Sequence, residues 1–94
     1  MTPDVAIAET RAFFEYFGLH VWSVEVVESI PGRPSASGAA AMTCKRIFLA
    51  SRCLDDDQFA RRLIWHEIGH ALTPNDSNHG EDWKNAVWEA SMVF

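Results

Sequence analysis

The segment His66-Glu67-Ile68-Gly69-His70 places two imidazoles four positions apart with a carboxylate beside the first. On an α-helix, positions i and i+4 share a face, so both ring nitrogens reach one cation from a single turn. Glu67 lies beside them, where it can take a proton from a metal-bound water. The spacing is HExxH, a signature of metal-assisted hydrolysis, and Zn²⁺ is the cofactor it implies.

A catalytic zinc takes three protein ligands and keeps a fourth position open for water. Two residues compete for the third place. His79 follows His70 across a loop rich in turn-forming residues, and Glu89 lies farther on, where another group of HExxH enzymes takes a glutamate. His79 is preferred, because a neutral imidazole at a loop-to-helix junction is a common ligand and Gly80 would let the backbone bend tightly beside it. Asp76, Glu81 and Asp82 lie near enough in sequence to accept a ligand's ring N–H. Tyr16 and His20 are further groups considered as oxyanion donors, with nothing in their spacing to assign them.

The elements that must position these groups follow from periodicity and punctuation. Pro3-Asp4 opens a helix that Gly18 closes, covering about Pro3–Phe17, with Val5, Ala8 and Ala12 on its apolar side, joined by Phe13, Tyr16 and Phe17. Residues 21–27 alternate, with Trp22, Val24 and Val26 on one side, as in a half-buried strand that Pro31, Gly32 and Pro34 terminate. Segments 39–43 and 46–50 are expected to pair as a hairpin turning around Cys44-Lys45. The run Asp55-Asp56-Asp57 offers a cap and favourable charge for a helix reaching about Leu72, ahead of Pro74. Its core face is Ala60, Ile64, Ile68 and Ala71, leaving Phe59, Arg62, Leu63, His66 and His70 on the other side. Gly69 in mid-helix costs about 1 kcal/mol relative to Ala, which predicts that another segment crosses close to the backbone there. A last helix, residues 81–91, turns Trp83, Ala86, Val87 and Ala90 inward.

With 94 residues, 48% of them hydrophobic, the chain has the content of one domain spanning 1–94. A net charge of −5 argues against a nucleic-acid surface, which needs concentrated basic charge. The two cysteines, Cys44 and Cys53, form no CxxC pair and read as small buried side chains of a protein from a reducing compartment. No stretch has the length of a membrane span, and the start lacks a basic region followed by an apolar run. A cytoplasmic, non-membrane protein is the expectation; its oligomeric state is not encoded in these features.

Residues from about Arg46 to Trp88 resemble the SprT-like zinc metallopeptidases. The matching pieces come in that family's order: the apolar strand Ile47-Phe48-Leu49 with Ala50-Ser51, then Leu54 and a helix bearing His66, Glu67 and His70, then His79-Gly80-Glu81-Asp82-Trp83, similar to the family's HGxxW element. The resemblance implies zinc ligation by His66, His70 and His79, Glu67 as general base, Trp83 packed beneath the metal loop, and protein or peptide substrates. The sequence has no four-cysteine ribbon or DNA-binding extension of the kind fuller members carry, so a role in DNA–protein crosslink repair is not implied. The expected fold is α+β and zincin-like: an N-terminal helix, a small, mainly antiparallel three-stranded sheet, the HExxH helix and a C-terminal helix. Alternatives are a regulatory protease of the ImmA/IrrE kind with Glu89 as third ligand, and a zinc-bound interaction module without catalysis.

Overall fold

The structure, a computed structural model, describes residues 1–76 and 78–93. Helix α1 spans Pro3–Phe17, strand β1 Ser23–Val27, strand β2 Gly38–Ala41 and strand β3 Arg46–Ala50. A 3₁₀ turn over Ser51–Leu54 leads into helix α2, Asp57–Leu72, and helix α3 spans Glu81–Ser91. The α+β class is as expected. None of the helices among the described residues is long and apolar enough to cross a membrane.

The helix ends follow the capping chemistry. Thr2 accepts a hydrogen bond from Val5 N, Pro3 stands in the first turn, and Gly18 closes α1 in the left-handed region at φ 70°. Asp56 caps α2 by accepting from Phe59 N at 3.1 Å. At its far end Thr73 caps the helix before Pro74, its backbone N–H donating to Gly69 O at 3.1 Å and its hydroxyl to the same oxygen at 2.7 Å.

The inward face of α1 matches the expectation only in part, at Phe13. Ala6, Thr10, Phe13 and Phe14 are buried, whereas Val5 is 46% exposed and Ala8 is exposed. Thr10 reads as a polar residue, yet its hydroxyl donates to Ala6 O at 2.8 Å and so enters the core satisfied by its own helix.

The sheet is mixed rather than mainly antiparallel. Its order is β1-β3-β2, with β3 antiparallel to β2 through the expected hairpin and parallel to β1. Residues 28–37, anchored by Ile30 at 2% exposure, carry the chain past the position β3 will take. The hairpin then returns β3 between its two predecessors. Val24 pairs with Ile47, Val26 with Leu49 and Ala40 with Ile47. Ile47 and Leu49 are fully buried in a core shared with Phe13, Phe14, Trp22, Leu54, Ile64 and Ile68. Of the cysteines, Cys44 is exposed in the hairpin turn and Cys53 is half-buried, both as free thiols. Cys44 is therefore not the buried side chain its composition suggested.

On α2, Ala60, Ile64, Ile68 and Ala71 face the core as their spacing requires, but Leu63, expected on the other side, is buried in the same core. The close crossing at Gly69 is also present. A Cβ there would lie 2.5 Å from Val87 Cγ2 and 3.0 Å from Trp83 Nε1, because α3 packs directly on the α2 backbone. The outer edge of the sheet is β2, a strand of small residues beside α2, and this leaves the helix's polar face open.

Candidate metal centre

Helical spacing brings His66 and His70 together on that open face, with their rings 4.9 Å apart between centroids. His79 joins them from the loop before α3. Its backbone adopts φ 57°, uncommon for a residue with a side chain. The bend expected at Gly80 is therefore made by His79 itself, and Gly80 lies at φ −77°. Gly80 is needed for space instead: a Cβ there would lie 2.7 Å from Asp76 Oδ1.

The three imidazoles converge. His70 Nε2 is 3.3 Å from His66 Nε2 and 3.0 Å from His79 Nε2, and one nitrogen from each ring falls within 4.8 Å of the others. Nitrogens at zinc-ligand distance around a tetrahedral ion are separated by about 3.4 Å. Burial, reinforced by the neighbouring His79, lowers the pKa of His66, and burial with the other two histidines lowers that of His70 to about 4. Both rings are then neutral at physiological pH and present lone pairs. Adjacent neutral rings share at most one proton between facing nitrogens, whereas one cation satisfies all three. The donor set fits a divalent metal that accepts imidazole nitrogen.

Trp83 holds this cluster from below. Its indole Nε1 donates to His66 O at 3.2 Å, and its ring lies 4.9 Å from His66, 5.7 Å from His70 and 4.5 Å from His79. Asp76 ties the loop to α3, accepting from Gly80 N at 2.9 Å and Trp83 N at 3.1 Å. These bonds hold the Asp76 carboxyl below its ordinary range. Of the three acids considered as acceptors for a ring N–H, Asp76 instead fastens backbone, and Glu81 and Asp82 are exposed in the first turn of α3.

Glu67 is 3% exposed, and burial raises its pKa to about 7 against the opposing charge of Arg33. It lines a cleft of about 450 Å³ with His66, His70, His79, Arg33 and residues 38–42 of the sheet edge. Gly38 lets the edge strand approach: a Cβ would lie 3.0 Å from Glu67 Oε2 and 2.9 Å from both Leu63 Cδ1 and Phe48 O. Glu89 is not in the histidine cluster and lines a separate cavity with Phe17, Leu72 and Asp82. Neither Tyr16 nor His20 lines the cleft. Sequence reading did not single out Arg33 or Gly38; both lie in a stretch of small and turn-forming residues without periodicity.

Fold and site together define an α+β domain with three histidines close enough to hold a metal ion beside a buried carboxylate. In comparison with known proteins, no family model, curated protein or solved structure matches the chain.

Proposed function

We propose that the chain is a zinc-dependent metalloendopeptidase of SprT-like, zincin-type design. The convergence of His66, His70 and His79 beside buried Glu67, in a cleft bordered by a free strand edge, carries this reading. When bound at the three imidazoles, zinc supplies Lewis-acid polarisation and lowers the pKa of water. Glu67, beside the three histidines in the cleft, is placed to take a proton from water and pass it to the leaving amine. An extended peptide pairs with the outer edge of β2, whose residues Ala39, Ala40 and Ala41 line the cleft. Their small side chains leave room for it. The chain's two cysteines, both free thiols, suit a cytoplasmic protein, and its substrates are proteins or peptides.

The test has two parts. Near-stoichiometric zinc in the purified protein, together with cleavage of an unfolded protein that disappears in Glu67→Gln while zinc is retained, is the expected result. Cleavage unchanged in Glu67→Gln overturns the proposal, as does absence of metal after metal-replete purification.

A further inference from the structure

We infer that the cleft selects acidic peptide segments, with Arg62 reading a glutamate or aspartate side chain next to the scissile bond. This deepens the peptidase reading and rests on the cleft being a peptide site. A second cavity of about 400 Å³ adjoins His66 and Glu67 and is lined by Ser37, Gly38, Phe59, Arg62 and Leu63. It continues the cleft past Glu67, so a peptide lying along β2 with its scissile carbonyl at the histidines would place a neighbouring side chain there. Phe59 and Leu63 supply an apolar wall, and Arg62 supplies a cation. A side chain with a short methylene stem and a carboxylate end matches both.

Charge distribution supports the assignment. The chain carries 13 acidic residues against 8 lysines and arginines. Yet in the two cavities bordering the histidines, Glu67 is the sole acid, and Arg33 and Arg62 flank it. The acids Asp76, Asp82 and Glu89 line the separate cavity on the other side of the histidine loop, which has no basic residue in its lining. The guanidinium groups of Arg11, Arg33 and Arg62 form no hydrogen bond or ion pair among the described residues, whereas Arg46, Arg52 and Arg61 are each engaged; of the three without one, Arg33 and Arg62 border the cleft. An unpaired guanidinium beside a cleft in an acidic protein is available for a carboxylate, which it can grip with two parallel N–H donors.

The experiment measures binding, independent of turnover. Blocked short peptides of one apolar sequence, differing only in a central Glu, Gln or Lys, are titrated against Glu67→Gln protein and against the same protein carrying Arg62→Gln or Arg62→Glu. The Glu peptide is expected to bind about 5- to 10-fold more tightly than the Lys peptide, with the gap narrowing at high salt. Arg62→Gln should abolish the preference and Arg62→Glu should invert it. Equal affinities, no binding of any peptide, or a preference unchanged in both Arg62 variants overturns the inference; the last would mean that the histidine site reads the carboxylate. Wild-type protein that cleaves Glu and Lys peptides equally well would overturn this specificity and leave the peptidase reading standing. Absence of cleavage with the charge order intact would do the reverse.

Discussion

Replacing Glu67 with Gln should stabilise the chelator-treated protein at neutral pH and leave it nearly unchanged in acid. The carboxyl group is 3% exposed, and burial raises its pKa from 4.5 to about 7. Between these values the unfolded chain releases a proton that the folded chain retains. The stabilising effect of the buried neutral acid is fully present below pH 4.5 and is lost as pH rises through about 7. At about 1.4 kcal/mol per pKa unit, the loss amounts to about 3 kcal/mol. Glutamine has nearly the shape of the protonated acid and does not ionise, so it escapes that loss. The stability difference between variant and wild type should climb from near zero at pH 4.5 to its full size above pH 7, an increase in Tm of about 10–20 °C for a domain of this size. His66 and His70 titrate in both proteins, so their contribution largely cancels in the difference. Urea unfolding followed by tryptophan fluorescence across this range measures it. A difference that does not vary with pH, or a variant less stable than wild type at neutral pH, would refute the argument that burial governs Glu67. Added zinc should shrink the difference, because a nearby cation favours the carboxylate.

Three further outcomes follow from the packing around the site. His79→Ala should abolish zinc retention, read by elemental mass spectrometry, and Glu89→Ala should leave it intact, since only His79 joins the other two histidines. Gly69→Ala should destabilise the protein by about 1–3 kcal/mol in urea despite the better helix propensity of alanine, because the new methyl meets Val87 Cγ2 at 2.5 Å. Gly38→Ala should reduce kcat at least as sharply as it reduces stability, since its Cβ would crowd Glu67 Oε2 at 3.0 Å; full activity in this variant would mean that the carboxylate has room to move.

Most of what positions the site was legible because it depends on local rules. The HExxH spacing, the aspartate cap and Pro74 after α2 each act within a few residues, and Gly69 betrays its distant crossing partner by its own cost in mid-helix; the structure places all of them as read. The features that escaped depend on distant partners. The parallel β1–β3 pairing arises from the path of residues 28–37, in which no hydrophobic period exists to read. Arg33 reaches the cleft by that same path. On α1 the buried Thr10 escaped notice because a threonine that bonds its own helix is indistinguishable in sequence from one that needs solvent. At His79 the ring position was anticipated but not the mechanism, since the left-handed bend falls on the histidine and not on the glycine beside it.

That bend explains why the third histidine belongs to a longer unit. His79 adopts a conformation with a cost of order 1 kcal/mol, which persists only where neighbours determine it. Asp76 supplies part of that determination by fastening Gly80 N and Trp83 N on either side of the turn into α3. Trp83 then bonds back to the His66 carbonyl, and Val87, one helical turn later, packs on the bare backbone at Gly69. The distance from His79 to the α2 histidines is thus set by how closely α3 packs on α2. A change that pushes these helices apart, even one far from any imidazole, should loosen metal binding before it unfolds the chain. Conversely, a metal held by all three rings would lock the helix pair together, so zinc binding and α2–α3 packing should rise and fall as a single thermodynamic unit.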